Sequence, residues 1–71
     1  MKTIRFNPEI YPLRVVLAAA EAYKGLAEIA VSDNSSGITV TLQNCRYEEN
    51  RTAHEFDNYI ISLMNQTNGH A

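Results

Sequence analysis

Two prolines four residues apart, Pro8 and Pro12, constrain the first third of this chain more tightly than any other feature. Ahead of them, Thr3 to Phe6 alternates, with Ile4 and Phe6 on one side and Thr3 and Arg5 on the other. That period of two is the mark of a half-buried strand. Pro8 lacks the N–H that a strand ladder needs, so the strand ends at Asn7-Pro8. Tyr11 precedes the second proline and is biased away from the helical region, which places a helix start at Pro12. A strand, an elbow and a helix of fixed register follow from eight residues, Phe6-Asn7-Pro8-Glu9-Ile10-Tyr11-Pro12-Leu13.

Beyond the elbow, Leu13, Val16, Leu17 and Ala20 follow the i, i+3, i+4, i+7 spacing of a buried helical face. Gly25 is placed to end that helix in a left-handed cap. A second stripe, Val15, Ala18, Ala19 and Ala22, runs round the other side. A helix apolar on two sides is usually buried on two sides, and small residues let another element approach closely. The competing reading is that alanine is simply the best helix former and tolerates water.

Next come two strands, Glu28 to Val31 and Ile38 to Gln43, joined by the turn-forming run Ser32 to Gly37. This reads as a hairpin with a long loop. Thr52-Ala53-His54-Glu55 has the capping-box pattern and opens a second helix, whose stripe is Phe56, Tyr59, Ile60, Leu63 and Met64. A frayed tail is expected from about residue 67. The expected fold is α+β, in the order β-α-β-β-α. It is a single domain over residues 1–71, with a three-stranded mixed sheet and two helices packed on one face. A right-handed crossover makes the first two strands parallel, and the third strand is expected in the middle.

Composition removes several functional classes. The formal charge is −2, and the six basic residues are scattered, without the stripe that nucleic-acid binding requires. One cysteine, Cys45, excludes an internal disulfide and fits a reducing compartment. No apolar run approaches the roughly 18 residues needed to span a bilayer, and residues 1–5 carry no apolar signal core, so a cytoplasmic chain is expected. Cys45, His54 and His70 share no metal-ligand spacing, so no metal is expected. For Cys45 to serve as a nucleophile it needs a base, and His54, in the expected capping box, reads better as an exposed first-turn residue. Glu48, Glu49, Glu55 and Asp57 read as helix-start carboxylates that favour the positive end of the dipole. The three glycines are isolated, so there is no phosphate loop.

The elbow, the run Val16-Leu17-Ala18-Ala19-Ala20 with Tyr23, and Glu55-Phe56-Asp57-Asn58-Tyr59-Ile60-Ile61 together resemble a known family. That family is the small D component (HxsD) of bacterial His-Xaa-Ser peptide-maturation systems. Its members are similar in having a strand, a proline-tyrosine elbow, an Ala-Ala helix, a hairpin and a helix with a Phe-x-Asn pattern. The resemblance spans roughly residues 3 to 66. The family's Leu-Arg ending is replaced here by Met64-Asn65-Gln66. The resemblance implies a non-catalytic accessory protein acting beside radical S-adenosylmethionine (radical-SAM) enzymes. It implies no cofactor of its own and no iron–sulfur cluster.

The functional expectation is therefore an interaction protein that binds a radical-SAM maturase, its precursor peptide, or both. The expected contact residues are Tyr11, Val15, Ala18, Ala19, Ala22 and Ile61. The alternative is a structural homodimer or small-ligand domain that uses the same stripe. Open sheet edges offer a further route, by addition of an extended strand.

Overall fold

The structure, a computed structural model, describes residues 1–68. Its elements are β1 (Lys2–Phe6), α1 (Leu13–Tyr23), β2 (Glu28–Asn34), β3 (Gly37–Gln43) and α2 (Glu49–Asn68). The order is β-α-β-β-α, as expected, and the sheet runs β1-β3-β2 with β3 in the middle. Because β3 runs against both neighbours, every ladder is antiparallel. β1 and β2 do point the same way, but they never touch, so the sheet expected as mixed is antiparallel throughout. The expected tail falls at the limit of description: α2 continues to Asn68, and residues 69–71, with His70, lie outside the described residues.

The elbow closes as the prolines require. The Asn7 carbonyl accepts from the N–H groups of Ile10 and Tyr11 at 2.9 and 2.8 Å, and the Asn7 side chain accepts from Glu9 N–H. Pro12 is extended and stands just outside the helix as its cap, so α1 begins one residue later than the prolines alone suggest. At the other end Lys24 is the cap, still in right-handed helical conformation, and Gly25 is not left-handed. The helix instead closes through Leu26 N–H on the Tyr23 carbonyl, at 2.8 Å. Among the described residues the glycine with positive φ is Gly37, at 126°, where an added Cβ would meet the Phe6 carbonyl oxygen at 3.2 Å.

The hairpin is tighter than its composition suggests. Ser32, Asp33 and Asn34 continue β2 instead of forming a loop, and only Ser35 and Ser36 turn the chain. The Asn34 side-chain oxygen accepts from both the N–H and the hydroxyl of Ser36, which closes the turn locally. Polar residues can extend an edge strand because their side chains stay in water while their backbones pair with β3.

Helix α2 also starts earlier than the capping box places it. Glu48 is the capping residue: its carboxylate accepts from Asn50 N–H at 2.7 Å and from Arg51 N–H at 2.8 Å. Thr52 lies inside the first turns, only 4% exposed, with its hydroxyl donating to the Glu48 carbonyl at 2.9 Å. Glu55 pairs with Arg51, one turn back, and not with Thr52.

Both helices cover the sheet face that carries Phe6, Ile38, Val40 and Leu42. They contribute Val15, Val16 and Ala19 from α1 and Ala53, Phe56 and Ile60 from α2. α1 packs over β2 and α2 over β1. A chain of ring contacts crosses this layer, from Tyr11 to Phe6, Phe56, Tyr23 and Tyr59, with centroids 5.1 to 6.5 Å apart. The opposite sheet face bears Thr3, Arg5, Ala30, Ser32, Thr39 and Thr41, none of them buried, and none of the described elements covers it.

Candidate functional site

The buried sector of α1 is neither of the two stripes expected. It is the arc between them, Val15, Val16 and Ala19, continued by half-buried Tyr23. Val15 is 4% exposed and Ala19 0%, so neither is available to a partner, and both are removed from the expected contact surface. Leu17, expected in the core, is 47% exposed. Its helical neighbours explain why. Arg14 at i−3, Glu21 at i+4 and Lys24 at i+7 share its side of the helix, and all of them are exposed. Burying Leu17 would have required desolvating those charges.

The other expected contact residues do not form one surface. Tyr11 is half-buried, edge-on to the Phe6 ring, and serves to pin the elbow to the core. Ala18 and Ala22 are exposed on α1. Ile61 is 43% exposed on α2, but Tyr59, two residues earlier, has its ring tilted against that of Tyr23 of α1. Two residues turn a helix by about 200°, so Ile61 faces away from α1.

What the fold does bring together is a groove between α1 and β2. Leu17, Ala20, Glu21 and Lys24 line one side, Ile29 and Val31 the other, and it encloses about 460 Å³. Its rim carries the Lys24–Glu21 ion pair, and its floor and wall are aliphatic. It exists because β2 is the last strand on that side, so Ile29 and Val31 are only half covered by α1. Sequence reasoning missed this site, although the charged neighbours of Leu17 were a usable signal.

The β2 edge beside the groove has a definite hydrogen-bonding parity. With Asn34 and Gly37 closing a two-residue turn, the backbones of Asn34, Ser32, Ala30 and Glu28 bond to β3. The N–H and C=O groups of Ile29, Val31 and Asp33 therefore point outward, along the open edge. At Ile29 and Val31, outward backbone groups and half-exposed apolar side chains belong to the same residues.

The remaining candidates stand apart. Cys45 is half-buried against the core. His54 is exposed, in a shallow depression with Lys2, Ile4 and Asp57 on the β1 side of the molecule. Among the described residues, no group of three or more His, Cys, Asp or Glu is placed to hold a metal ion. None of the described helices is long and apolar enough to cross a membrane. Among the described residues, two groups titrate away from their ordinary values. Burial, then the charge of Glu55 and the neighbouring Tyr59, pushes the Tyr23 phenol up, which keeps it a donor to the Glu55 carbonyl at 3.2 Å. The backbone N–H of Asn50, then that of Arg51, holds the Glu48 carboxyl below its usual range. Both shifts belong to helix packing and capping. Comparison with known proteins finds no matching family model, no matching curated protein and no matching solved structure.

Proposed function

We propose that this chain is a non-catalytic accessory protein that binds a protein or peptide partner through the side formed by α1 and β2. The setting is the one its sequence resemblance implies. The partner is then a radical-SAM maturation enzyme or the His-Xaa-Ser precursor peptide on which that enzyme acts. The observation that carries the reading is the open groove, in which Leu17 is exposed while Ile29 and Val31 are half covered beside a free strand edge. Exposed aliphatic side chains beside unpaired backbone groups suit capture of an extended segment, since the backbone supplies affinity and the pockets supply selectivity.

The test is capture of the purified radical enzyme, or of a synthetic precursor peptide, by wild type and two variants. Leu17→Glu places a charge in the groove at a position already half in water, so the fold survives and capture falls at least about tenfold. Ala18→Glu, on exposed α1 surface outside the groove, leaves capture unchanged. Equal capture by wild type and Leu17→Glu overturns the assignment of this side.

A further inference from the structure

We propose that the β2 edge pairs with the β2 edge of a second copy of this chain, antiparallel and centred on Ala30. The strand is self-complementary in that register and in no neighbouring one. Only residues whose backbones face outward can form the bonded pairs, which restricts the twofold to five centres, residues 29 to 33. Centred on Ser32 it sets the Asp33 carboxylate against Val31, and centred on Asp33 it opposes two carboxylates. Centred on Ala30, Ile29 bonds to Val31 of the second copy and Val31 to Ile29, so aliphatic side chains meet on the groove side. Ala30 then faces its own copy on the open face of the sheet, and Glu28 lies opposite Ser32. Residues 28–32 of the two chains overlap as strand.

Centred on Val31, the pairing sets the Asp33 carboxylate against Ile29 on the groove side, which desolvates a charge without a partner. Centred on Ile29, only residues 28–30 of each strand overlap. Like charges are never opposed in the favoured register, and the residues at its centre are small or aliphatic.

The pairing deepens the functional reading above by dividing its parts: the edge backbone bonds the second copy, and the partner segment is held by the aliphatic groove, which the pairing completes. One chain leaves the groove open on the side away from α1. With adjacent strands about 4.8 Å apart, the second β2 extends its floor. The two grooves become one trough, floored by Ile29 and Val31 of both copies and walled by Leu17 and Ala20 of each α1.

Cysteine cross-linking reads both the contact and its register. On a Cys45→Ser background, Ala30→Cys places two thiols at a non-bonded antiparallel pair, with Cα atoms about 4.5 Å apart, within disulfide reach. Mild oxidation gives a covalent dimer with Ala30→Cys at least about tenfold faster than with Ser36→Cys, an exposed turn position that serves as the collision control. Val31→Cys cross-links more slowly than Ala30→Cys. Without oxidant, sedimentation shows a wild-type dimer that dissociates on dilution. Ala30→Lys sets like charges across the twofold and is a monomer with an unchanged circular dichroism spectrum. A wild-type chain that is monomeric at every concentration overturns the pairing. So does an Ala30→Cys rate equal to that of Ser36→Cys, and faster linkage at Val31 overturns the register. A dimer that captures no partner overturns the functional reading alone, and a monomer that captures one overturns the pairing alone.

Discussion

The two edges of this sheet are built on opposite plans. At the β1 edge the outward-facing backbone belongs to Thr3 and Arg5, whose side chains are polar and exposed. The strand is five residues long, ends two residues before Pro8, and has α2 packed over it. Its Phe6 is buried and contacts the ring of Phe56. At the β2 edge the free backbone belongs to Ile29, Val31 and Asp33, the strand is seven residues long, and no proline or lysine interrupts it. Charge, brevity and coverage are the usual defences of an edge against pairing. A helix lies over each strand, so the contrast rests on charge and brevity: β1 has both, whereas β2 has acids near its ends and an uncharged centre. An open edge of that kind, in a chain where the other edge is guarded, marks the side where association is expected.

If the edges differ in this way, truncating their apolar side chains should cost very different amounts. Phe6→Ala is expected to lose about 3–5 kcal/mol, because a buried ring is removed and the Tyr11 and Phe56 rings lose their shared neighbour. Ile29→Ala should lose only about 1 kcal/mol in the monomeric Ala30→Lys background, since much of that side chain already meets water. Urea midpoints at constant slope measure both. Similar losses at the two positions would mean that the β2 side is as well packed as the β1 side, and the contrast would fail.

A sharper test acts on the backbone. Ser32→Pro removes an N–H that bonds to β3, whereas Val31→Pro removes one that faces the open edge. The first is expected to destabilise the fold by about 1–3 kcal/mol more than the second, the cost of leaving a buried acceptor on β3 without its donor. Val31→Pro should instead abolish dimerisation while the chain stays folded. Equal destabilisation by the two prolines would show that the parity is reversed, and the proposed register with it.

Much of this architecture was legible in the sequence, and the parts that were not have a common cause. The alternation of Thr3 to Phe6, the two prolines and the stripe of α2 are local signals, and they gave the element order; the middle place of β3 was expected from connection rules instead. The errors came where two local signals competed. On α1 one broad apolar arc divides on paper into two stripes, and only contact with Phe56 and Val40 decides that its middle faces inward. At the hairpin, Ser32, Asp33 and Asn34 favour a turn by composition, but pairing with Thr39, Ile38 and Gly37 keeps them in the strand. At α2, Thr52 and Glu55 carry the capping-box pattern, but Glu48 reaches the free N–H groups first and sets the start. The groove was hidden for the same reason, since its exposure follows from where α1 comes to rest.

The guarded edge depends in turn on the start of α2, and this gives the smallest and most pH-sensitive effect. The Glu48 carboxylate accepts two backbone N–H bonds, and its pKa is lowered chiefly by those of Asn50 and Arg51, with the charges of Lys2 and Arg51 adding to it. A carboxylate whose folded-state pKa is depressed contributes stability that is fully present above the ordinary carboxylate value and is lost as pH falls through the lowered one. Glu48→Gln is therefore expected to be slightly less stable than wild type at neutral pH and to converge with it in acid. Because Glu49, Asn50 and Ala53 border β1, amide exchange should quicken at Ile4 and Phe6, whose N–H groups bond to β3, and remain as it was at Ala30 and Ser32. A difference between the two proteins that persists unchanged into acid would assign the effect to shape and not to charge. Faster exchange at β2 as well would show that the two edges open together, and that the guarding of β1 is not local to α2.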